Sequence, residues 1–539
     1  MSTDLQTIAS LTLGSMLKKG ADEAPQKTAL VDGERRFTYA ELNQMAENLA
    51  AGLNQLGFKK GDRVAIYMKS SMEFVVAFYA IEKLGLIVAW VNPMYRKNES
   101  EFILNNSGAK GVVIFEEWEG YDYLESILRI RNHLPELEHI VVVGDGEGAG
   151  VHRYQEVMES GQSAPSFRPP SIDAMTDLAM LIYTSGTTGK PKGAMITHYQ
   201  ALRAGYQYSL GVHASAEDIF IGVLPMSHSY GCGAILIQPF LLQATLVLME
   251  SFKPEKAFEL IEKEKITLQH AAPAHYILEL NHKNRLKYDL SSLRAGLIAG
   301  QPAPEGLIGR VEKEMGVYLT SFWGASEVGP GLGILCPYPS PLEIREKYIG
   351  LPIEGTEVRV VDPATREPLP NGEVGELTVS GWHVLKGYWN NASETRKQVK
   401  EGWLFTGDLV SRDTSGYISI YGRIKDLINK GGYKITPFEL ESLIVEHPSV
   451  KEVSVVATPN PVLGESICAC VILFEKKDLT LDELKTFLSG KVSPHKFPDE
   501  LCIMQEFPRL SGGVKLKKFG KGGIADLAAL DKTREGYRG

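Results

Sequence analysis

The sequence predicts an α/β protein with a large N-terminal domain of layered α/β sheets, a small β-rich module and a small α+β C-terminal domain. Three observations carry this. Short apolar, β-like runs alternate with helix-period segments over most of the chain, as they do when helices cover largely parallel sheets. From about residue 350 the texture changes to short strands punctuated by Gly and Pro. After "GRIKD" (422–426) a compact α/β pattern restarts. At 539 residues the chain exceeds one ordinary domain of roughly 150 residues. Its 44% hydrophobic and 23% charged residues suit large buried cores.

Taken in order, the first clear helix opens at a capping box. Thr38 caps, Glu41 stands three residues later, and Leu42, Met45, Leu49, Leu53 and Leu56 recur at helical spacing before Gly57. "DRVAIYM" is a short strand. The most apolar stretch, "FVVAFYAIEKLGLIVAWV" (74–91), is interrupted by Glu82 and Lys83. A membrane-spanning helix needs about 20 mostly apolar residues, so this stretch reads as a buried helix followed by a strand. "GVVIF", "HIVVVG", "ATLVLM", "TLQHAAP" and "LRAGLIAG" continue the strands. "TEVRVVD", "GELTVSG" and "GYISIYG" make the β-rich module. In the last part Thr436 caps a helix, with Pro437 in its first turn and Glu439 at the third position. The strands "VSVVAT" and "ICACVILF" follow.

Composition excludes several classes. The net charge is −9, with no basic tail or stripe, so nucleic acid is not the expected partner. "MSTDLQTIAS" has no apolar core and is not a secretory signal. Cys232, Cys336, Cys468, Cys470 and Cys502 are few, odd in number and scattered, giving neither a disulfide framework nor zinc-site spacing. A soluble, cytoplasmic protein with no transmembrane segment is expected. Peripheral membrane contact and a homodimer are left open.

The richest chemistry lies in "YTSGTTGKPKG" (183–193). The kinase-type loop G-x-x-x-x-G-K-[ST] does not fit, because Lys190 is followed by Pro191. Gly186 and Gly189 still let backbone N–H groups approach an anion closely. Thr184, Ser185, Thr187 and Thr188 add hydroxyl donors, and Lys190 and Lys192 add charge. On these residues alone a Gly/Thr-rich surface turn is an equal reading.

Five further segments follow in order: "LPMSHSYG" (224–231), "FWGASE" (322–327), "GWLFTGD" (402–408), "YGRIKDLINKGGYKITPFELE" (421–441) and "PRLSGGVKLKK" (508–518). With the loop they resemble the adenylate-forming superfamily of acyl- and aryl-CoA synthetases, peptide-synthetase adenylation domains and luciferases. The resemblance runs over nearly the whole chain. It implies an AMP-forming acid–CoA ligase using ATP, Mg²⁺ and coenzyme A on a small-molecule carboxylic acid. Two alternatives stand beside it: a stand-alone ligase that loads a carrier protein, and a nucleotide-binding, non-enzymatic relative.

The resemblance also implies residue roles. Thr184, Ser185, Gly186, Thr187, Thr188, Gly189 and Lys192 would hold the β- and γ-phosphates. Gly300, Gln301 and Pro302 would lie near the nucleotide, as would Gly324. Trp323 stands where the family usually has Tyr or Phe against adenine, and Ser326 replaces the usual Thr. Glu327 would be the Mg²⁺ ligand, Asp408 the ribose ligand, and Arg423 a second ribose or phosphate contact. Lys425 falls on the family's hinge, dividing residues 1–424 from a mobile domain at 425–539. Gly431 and Gly432 would line the pantetheine channel, and Lys434 would contact the AMP phosphate. His228 would gate the acyl pocket.

The family's catalytic lysine directly follows a glycine; here Val514 follows Gly513, so the role falls to Lys515, with Lys517 and Lys518 as competitors. The acyl pocket would draw on 229–236, 300–303 and 327–335, where Gly231, Gly233, Gly329, Gly331 and Gly333 leave room. A fatty, alicyclic or aryl acid is favoured over an amino acid. "VNPMYRKNE" leans towards fatty-acyl relatives and "LPMSHSYG" towards aryl ones.

Overall fold

A computed structural model describes residues 5–163, 168–184, 190–509, 516–531 and 533–536. The chain divides into two compact units. The first comprises Met1–Gln301, Leu307–Glu357 and Val379–Leu404; the second comprises Pro302–Gly306, Val358–Thr378 and Phe405–Gly539.

The first unit holds two large sheets. One runs in the order Leu351–Pro352, Ile334–Leu335, Tyr318–Trp323, Ala295–Ile298, Leu268–Gln269, Ile219–Gly222, Thr245–Leu248, Thr28–Asp32, Arg35–Thr38. From Tyr318–Trp323 to Thr28–Asp32 it is parallel, with antiparallel strands only at its edges. The other runs Lys192–Thr197, Leu178–Thr184, Ile87–Trp90, Arg63–Tyr67, Ala109–Phe115, His139–Val143, Val151–Arg153, parallel except for its first pair. Near-continuous Val/Ile/Ala runs are what strands buried on both faces require.

Local sequence accounts for the main elements. The apolar stretch forms the helix Met72–Lys83 and then the strand Ile87–Trp90. Ser71 caps that helix by accepting from the Phe74 N–H, and Trp90 stacks on Phe74 at a centroid distance of 5.3 Å. Such a pair adds about 0.5–1.5 kcal/mol beyond its buried area. The polar pair that interrupts the stretch stays inside: Glu82 is fully buried, and Lys83 donates to Asn43 at 2.8 Å.

The expected capping box at Thr38 and Glu41 opens the helix Tyr39–Gln55, but this is not the first helix. Leu5–Ser10 and Leu13–Glu23 precede it, and the latter is capped reciprocally by Thr12 and Ser15. Serine at the third position, in place of Glu or Gln, hides that box. In "TLQHAAP" only Leu268–Gln269 is a strand, because Ala271 makes just an isolated bridge to Ile298.

The antiparallel pair Trp403–Arg412 and Ile418–Arg423, which lies in the second unit from Phe405 on, sets Asp408 opposite Arg423, with a register shift between Leu409 and Val410. That unit also holds a five-stranded sheet in the order Tyr433–Ile435, Ile428–Lys430, Gly464–Leu473, Val450–Asn460, with Glu500–Ile503 on Gly464–Leu473. The helices Pro437–Ile444 and Leu481–Leu488 add Leu440, Ile444, Leu484 and Leu488 to its core. Thr436 is the residue before the first of these, yet its side chain caps nothing; Glu439 pairs instead with Lys496 at 2.6 Å.

Candidate active site

The two ends of the 183–193 motif lie on adjacent strands. Leu178–Thr184 pairs antiparallel with Lys192–Thr197, Thr184 lying opposite Lys192. The loop therefore runs into a strand, not into a helix as a kinase-type P-loop does, consistent with Pro191 disfavouring helix at Lys190. Ser185, Gly186, Thr187, Thr188 and Gly189 lie outside the described residues. Lys192 is buried, and its ammonium is 2.9 Å from Glu394 and 5.2 Å from the Tyr388 ring centroid. Lys190 is exposed.

The segment 384–389 stitches this strand pair to the loop that carries Glu327. On one side Leu385 N–H donates to the Glu327 carbonyl at 2.8 Å, and Val384 bridges Val328. On the other, Lys386 N–H donates to Met195 O, Met195 N–H donates to Gly387 O, and Trp389 N–H donates to Gly193 O at 2.8 Å. Tyr388 ties the side chains together: its hydroxyl lies 2.9 Å from Glu327 Oε1 and 2.5 Å from Gln398 Oε1. The structure thus gathers Thr184, Lys192 and Glu327 from segments over a hundred residues apart. Sequence reasoning misses Tyr388, Glu394 and Gln398, because nothing in "GYWNNASETRKQ" (387–398) announces such distant partners.

His228, Gly300, Gln301 and the loop 324–327 follow the carboxyl ends of Ile219–Gly222, Ala295–Ile298 and Tyr318–Trp323, which are parallel strands of one sheet. That edge is where α/β sheets place their ligands. Pro302, next in sequence, belongs to the second unit. Gly300 has φ +94°, a conformation that favours glycine. Trp323 is 5% exposed, its six-membered ring against Gly333. Gly324 is demanded by space: a Cβ there would lie 1.5 Å from Gly331 O. Ser326 and Glu327 are half-buried. His228 is exposed, and its Nδ1 accepts from Tyr230 N–H at 3.3 Å, capping the short turn Ser229–Gly231.

Glu327 fits a Mg²⁺ ion. Such an ion keeps several waters and takes one or two carboxylates together with substrate phosphates. Oε1 of Glu327 is occupied by Tyr388, while no partner of Oε2 is found among the described residues. No group of three His, Cys, Asp or Glu side chains able to hold a metal exists among the described residues, so a fully protein-built cage is not on offer there.

At Gly231, Gly233 and Gly333 the expected room is not there, whereas at Gly329 the nearest atom to a Cβ would be 3.4 Å away. A Cβ on Gly231 would meet Pro225 O at 2.0 Å, on Gly233 the Tyr208 ring at 2.5 Å, and on Gly333 the Trp323 ring at 2.8 Å. These glycines allow close packing, and the space beside Gly233 is filled by Tyr208. That ring lies edge-on to Phe322, with centroids 5.3 Å apart, and its hydroxyl donates to Pro330 O at 2.9 Å.

Within the second unit, Asp408 and Arg423 meet across the strand pair, with Nε 2.8 Å from Oδ1. Asp408 is 7% exposed, and its N–H donates to Thr406 Oγ1. Lys425 is exposed in the turn Ile424–Asp426, whose other two residues are half-buried. Gly431 and Gly432 form the two-residue turn joining Ile428–Lys430 to Tyr433–Ile435, with φ +58° and +91°. Positive φ at both positions is the tight hairpin geometry that favours glycine. Lys434 is exposed. Of the competing lysines, Lys518 is paired with Glu441 at 2.6 Å and Lys517 donates to Lys521 O at 2.7 Å. Lys515, with Gly513 and Val514, lies outside the described residues.

Known proteins share this architecture. The AMP-binding enzyme family matches residues 17–389, and the AMP-binding enzyme C-terminal domain matches 439–513. The chain is 31% identical over 546 residues to the mitochondrial medium-chain acyl-CoA ligase ACSF2 of Danio rerio, covering 95% of this chain and 88% of that one. It is 31% identical over 532 residues to a long-chain-fatty-acid–CoA ligase of Bacillus subtilis (strain 168), covering 94% and 93%. The crystal structure of the anthranilate CoA ligase AuaEII with anthranoyl-AMP superposes with a TM-score of 0.87 at 27% identity, over 95% of this chain and 97% of that one. ATP-bound MatB from Rhodopseudomonas palustris gives 0.84 at 26%, over 94% and 97%. The chain belongs to the AMP-binding enzyme family, as an adenylate-forming enzyme of the acid–CoA ligase type.

Proposed function

We propose that the protein converts a carboxylic acid with an apolar body into its coenzyme A thioester by way of an acyl-adenylate. The observation that carries this reading is the 384–389 segment, which brings the strands flanking the phosphate loop and Glu327 into one constellation. In the first step an oxygen of the acid attacks the α-phosphorus of ATP. A new O–P bond forms, the α–β bridge breaks, and pyrophosphate leaves. In the second, the coenzyme A thiol gives up its proton to solvent and attacks the acyl carbon; the C–S bond forms and AMP leaves.

Two anions must meet in the first step, so the site needs donors and cations around the phosphates. The loop from Thr184 to Lys192 supplies backbone and hydroxyl donors for the β- and γ-phosphates. Glu327 would hold Mg²⁺, which when bound neutralises phosphate charge. Asp408 accepts from the ribose hydroxyls, oriented by Arg423 at 2.8 Å. Lys515 offsets the charge that develops at the α-phosphate. The second step would use the Gly431–Gly432 turn and Lys434, with Lys425 as the point of rotation and His228 beside the acyl group. The relatives named for medium-chain, long-chain and anthranilate substrates, together with the aromatic surroundings of Gly233, support an apolar acid.

The test is ATP–pyrophosphate exchange across a panel of fatty, alicyclic and aryl acids, followed by thioester formation with coenzyme A. Silence with every acid would end the enzymatic reading. Exchange without consumption of coenzyme A would move the acceptor to a carrier protein. Lys515→Ala should lose most of the exchange, about 10²-fold or more, yet keep thioester formation from supplied acyl-AMP. Full exchange in that variant would show that the displaced lysine is not the one used.

A further inference from the structure

We propose that Tyr388 is a positioning residue for the Glu327 carboxylate and that Gln398 sets the direction of its hydroxyl. The inference rests on the reading of Glu327 as the group that receives Mg²⁺. The Tyr388 hydroxyl has one proton and two oxygen neighbours, Glu327 Oε1 at 2.9 Å and Gln398 Oε1 at 2.5 Å. Both cannot accept it. The conflict resolves when the Gln398 amide is turned, since its oxygen and nitrogen have the same shape. Gln398 then donates to the tyrosine oxygen, and Tyr388 donates to Glu327.

Everything else about Tyr388 holds it still. It is 2% exposed, its backbone bridges Ala194, and its N–H donates to Thr395 Oγ1 at 2.9 Å. The Lys192 ammonium stands over its ring, itself held by Glu394. With Oε1 pinned, Glu327 keeps Oε2 as a single fixed oxygen for a hard cation. Without the pin the carboxylate is free to turn, and the ordering cost falls on metal binding.

The experiment is a Mn²⁺ titration, followed by electron paramagnetic resonance, of the full-length protein with a non-hydrolysable ATP analogue and no acid, so that nothing turns over. Tyr388→Phe should weaken Mn²⁺ binding about 10-fold, in the range seen when a supporting partner of a metal ligand is removed. Binding of the metal-free analogue should stay unchanged. Gln398→Leu keeps the tyrosine and should weaken Mn²⁺ by a smaller factor, which carries the test if Tyr388→Phe folds poorly. Glu327→Gln is the control. If Glu327→Gln weakens Mn²⁺ and both other variants match the wild type, Tyr388 has no positioning role. If Glu327→Gln itself leaves Mn²⁺ binding intact, the assignment of Glu327 fails and the inference with it.

Discussion

Lys192 shows how a residue in a binding motif can also carry a structural ion pair. Its place after a Gly/Thr loop suggests a phosphate contact, and its ammonium pairs with Glu394, whose carboxyl is held down to about 2 by its hydrogen bonds to Lys397 and then Lys192. The ammonium is 8% exposed on the lysine side, so the pair is largely desolvated there. Removing one member leaves a buried charge with a weaker partner, a loss of about 1–3 kcal/mol. Glu394→Gln should therefore lower the urea midpoint by a corresponding amount, with a larger loss at low salt than a surface pair would give. A variant as stable as the wild type would show that the Lys192–Glu394 pair does not stabilise the fold.

At the scale of elements, what is legible in the sequence is local. The capping box of Thr38 with Glu41, the Met72–Lys83 helix with its following strand, and the Gly-bounded strands after residue 350 depend on neighbours a few positions apart. Of the site, the segments that carry it are legible as motifs. What joins them is not, because Tyr388 and Glu327 are 61 positions apart. At Gly231, Gly233 and Gly333 the reason is related: spacing shows that a side chain is absent, not what fills the gap. Gly233 and Gly432 now separate two causes. Gly432 has φ +91° and nothing within 4 Å of the position a Cβ would take, so Gly432→Ala should cost about 1 kcal/mol through backbone strain alone. Gly233→Ala would drive a methyl into Tyr208 at 2.5 Å and Pro330 O at 2.7 Å and should cost about 1–3 kcal/mol. Adding Tyr208→Leu should recover part of that loss and leave a Gly432→Ala background unchanged. Additive losses at Gly233 and Tyr208 would show that the two do not share one space.

Over the whole molecule, pH acts mainly through groups buried without charge in the first unit. His198, His275 and His383 are pushed down by burial to about 4, and His270 to about 3. In the unfolded chain each titrates near 6.5. Between those values the unfolded state binds protons that the folded state refuses. Their stabilisation is therefore complete above pH 6.5 and drains away as pH falls towards 4. Glu279 is pushed up by burial to about 8, and Glu82 is raised well above its ordinary value for the same reason. These carboxyls stay protonated in the fold and ionise in the unfolded chain above about 4.5, so they cost stability as pH rises towards 8. Where the two windows overlap, four histidines outweigh two glutamates, and stability still falls with acid. Above 6.5 only the glutamates act. Thermal unfolding of the first unit should thus be most favourable to the fold near pH 6.5 and decline on both sides. Glu279→Gln fixes the neutral form, and its stability relative to the wild type should climb steadily from pH 6 to pH 8. Parallel wild-type and Glu279→Gln profiles across that interval would show that this carboxyl is ionised in the folded protein, and that the buried pair it makes with Gln269 at 2.9 Å is a charged one.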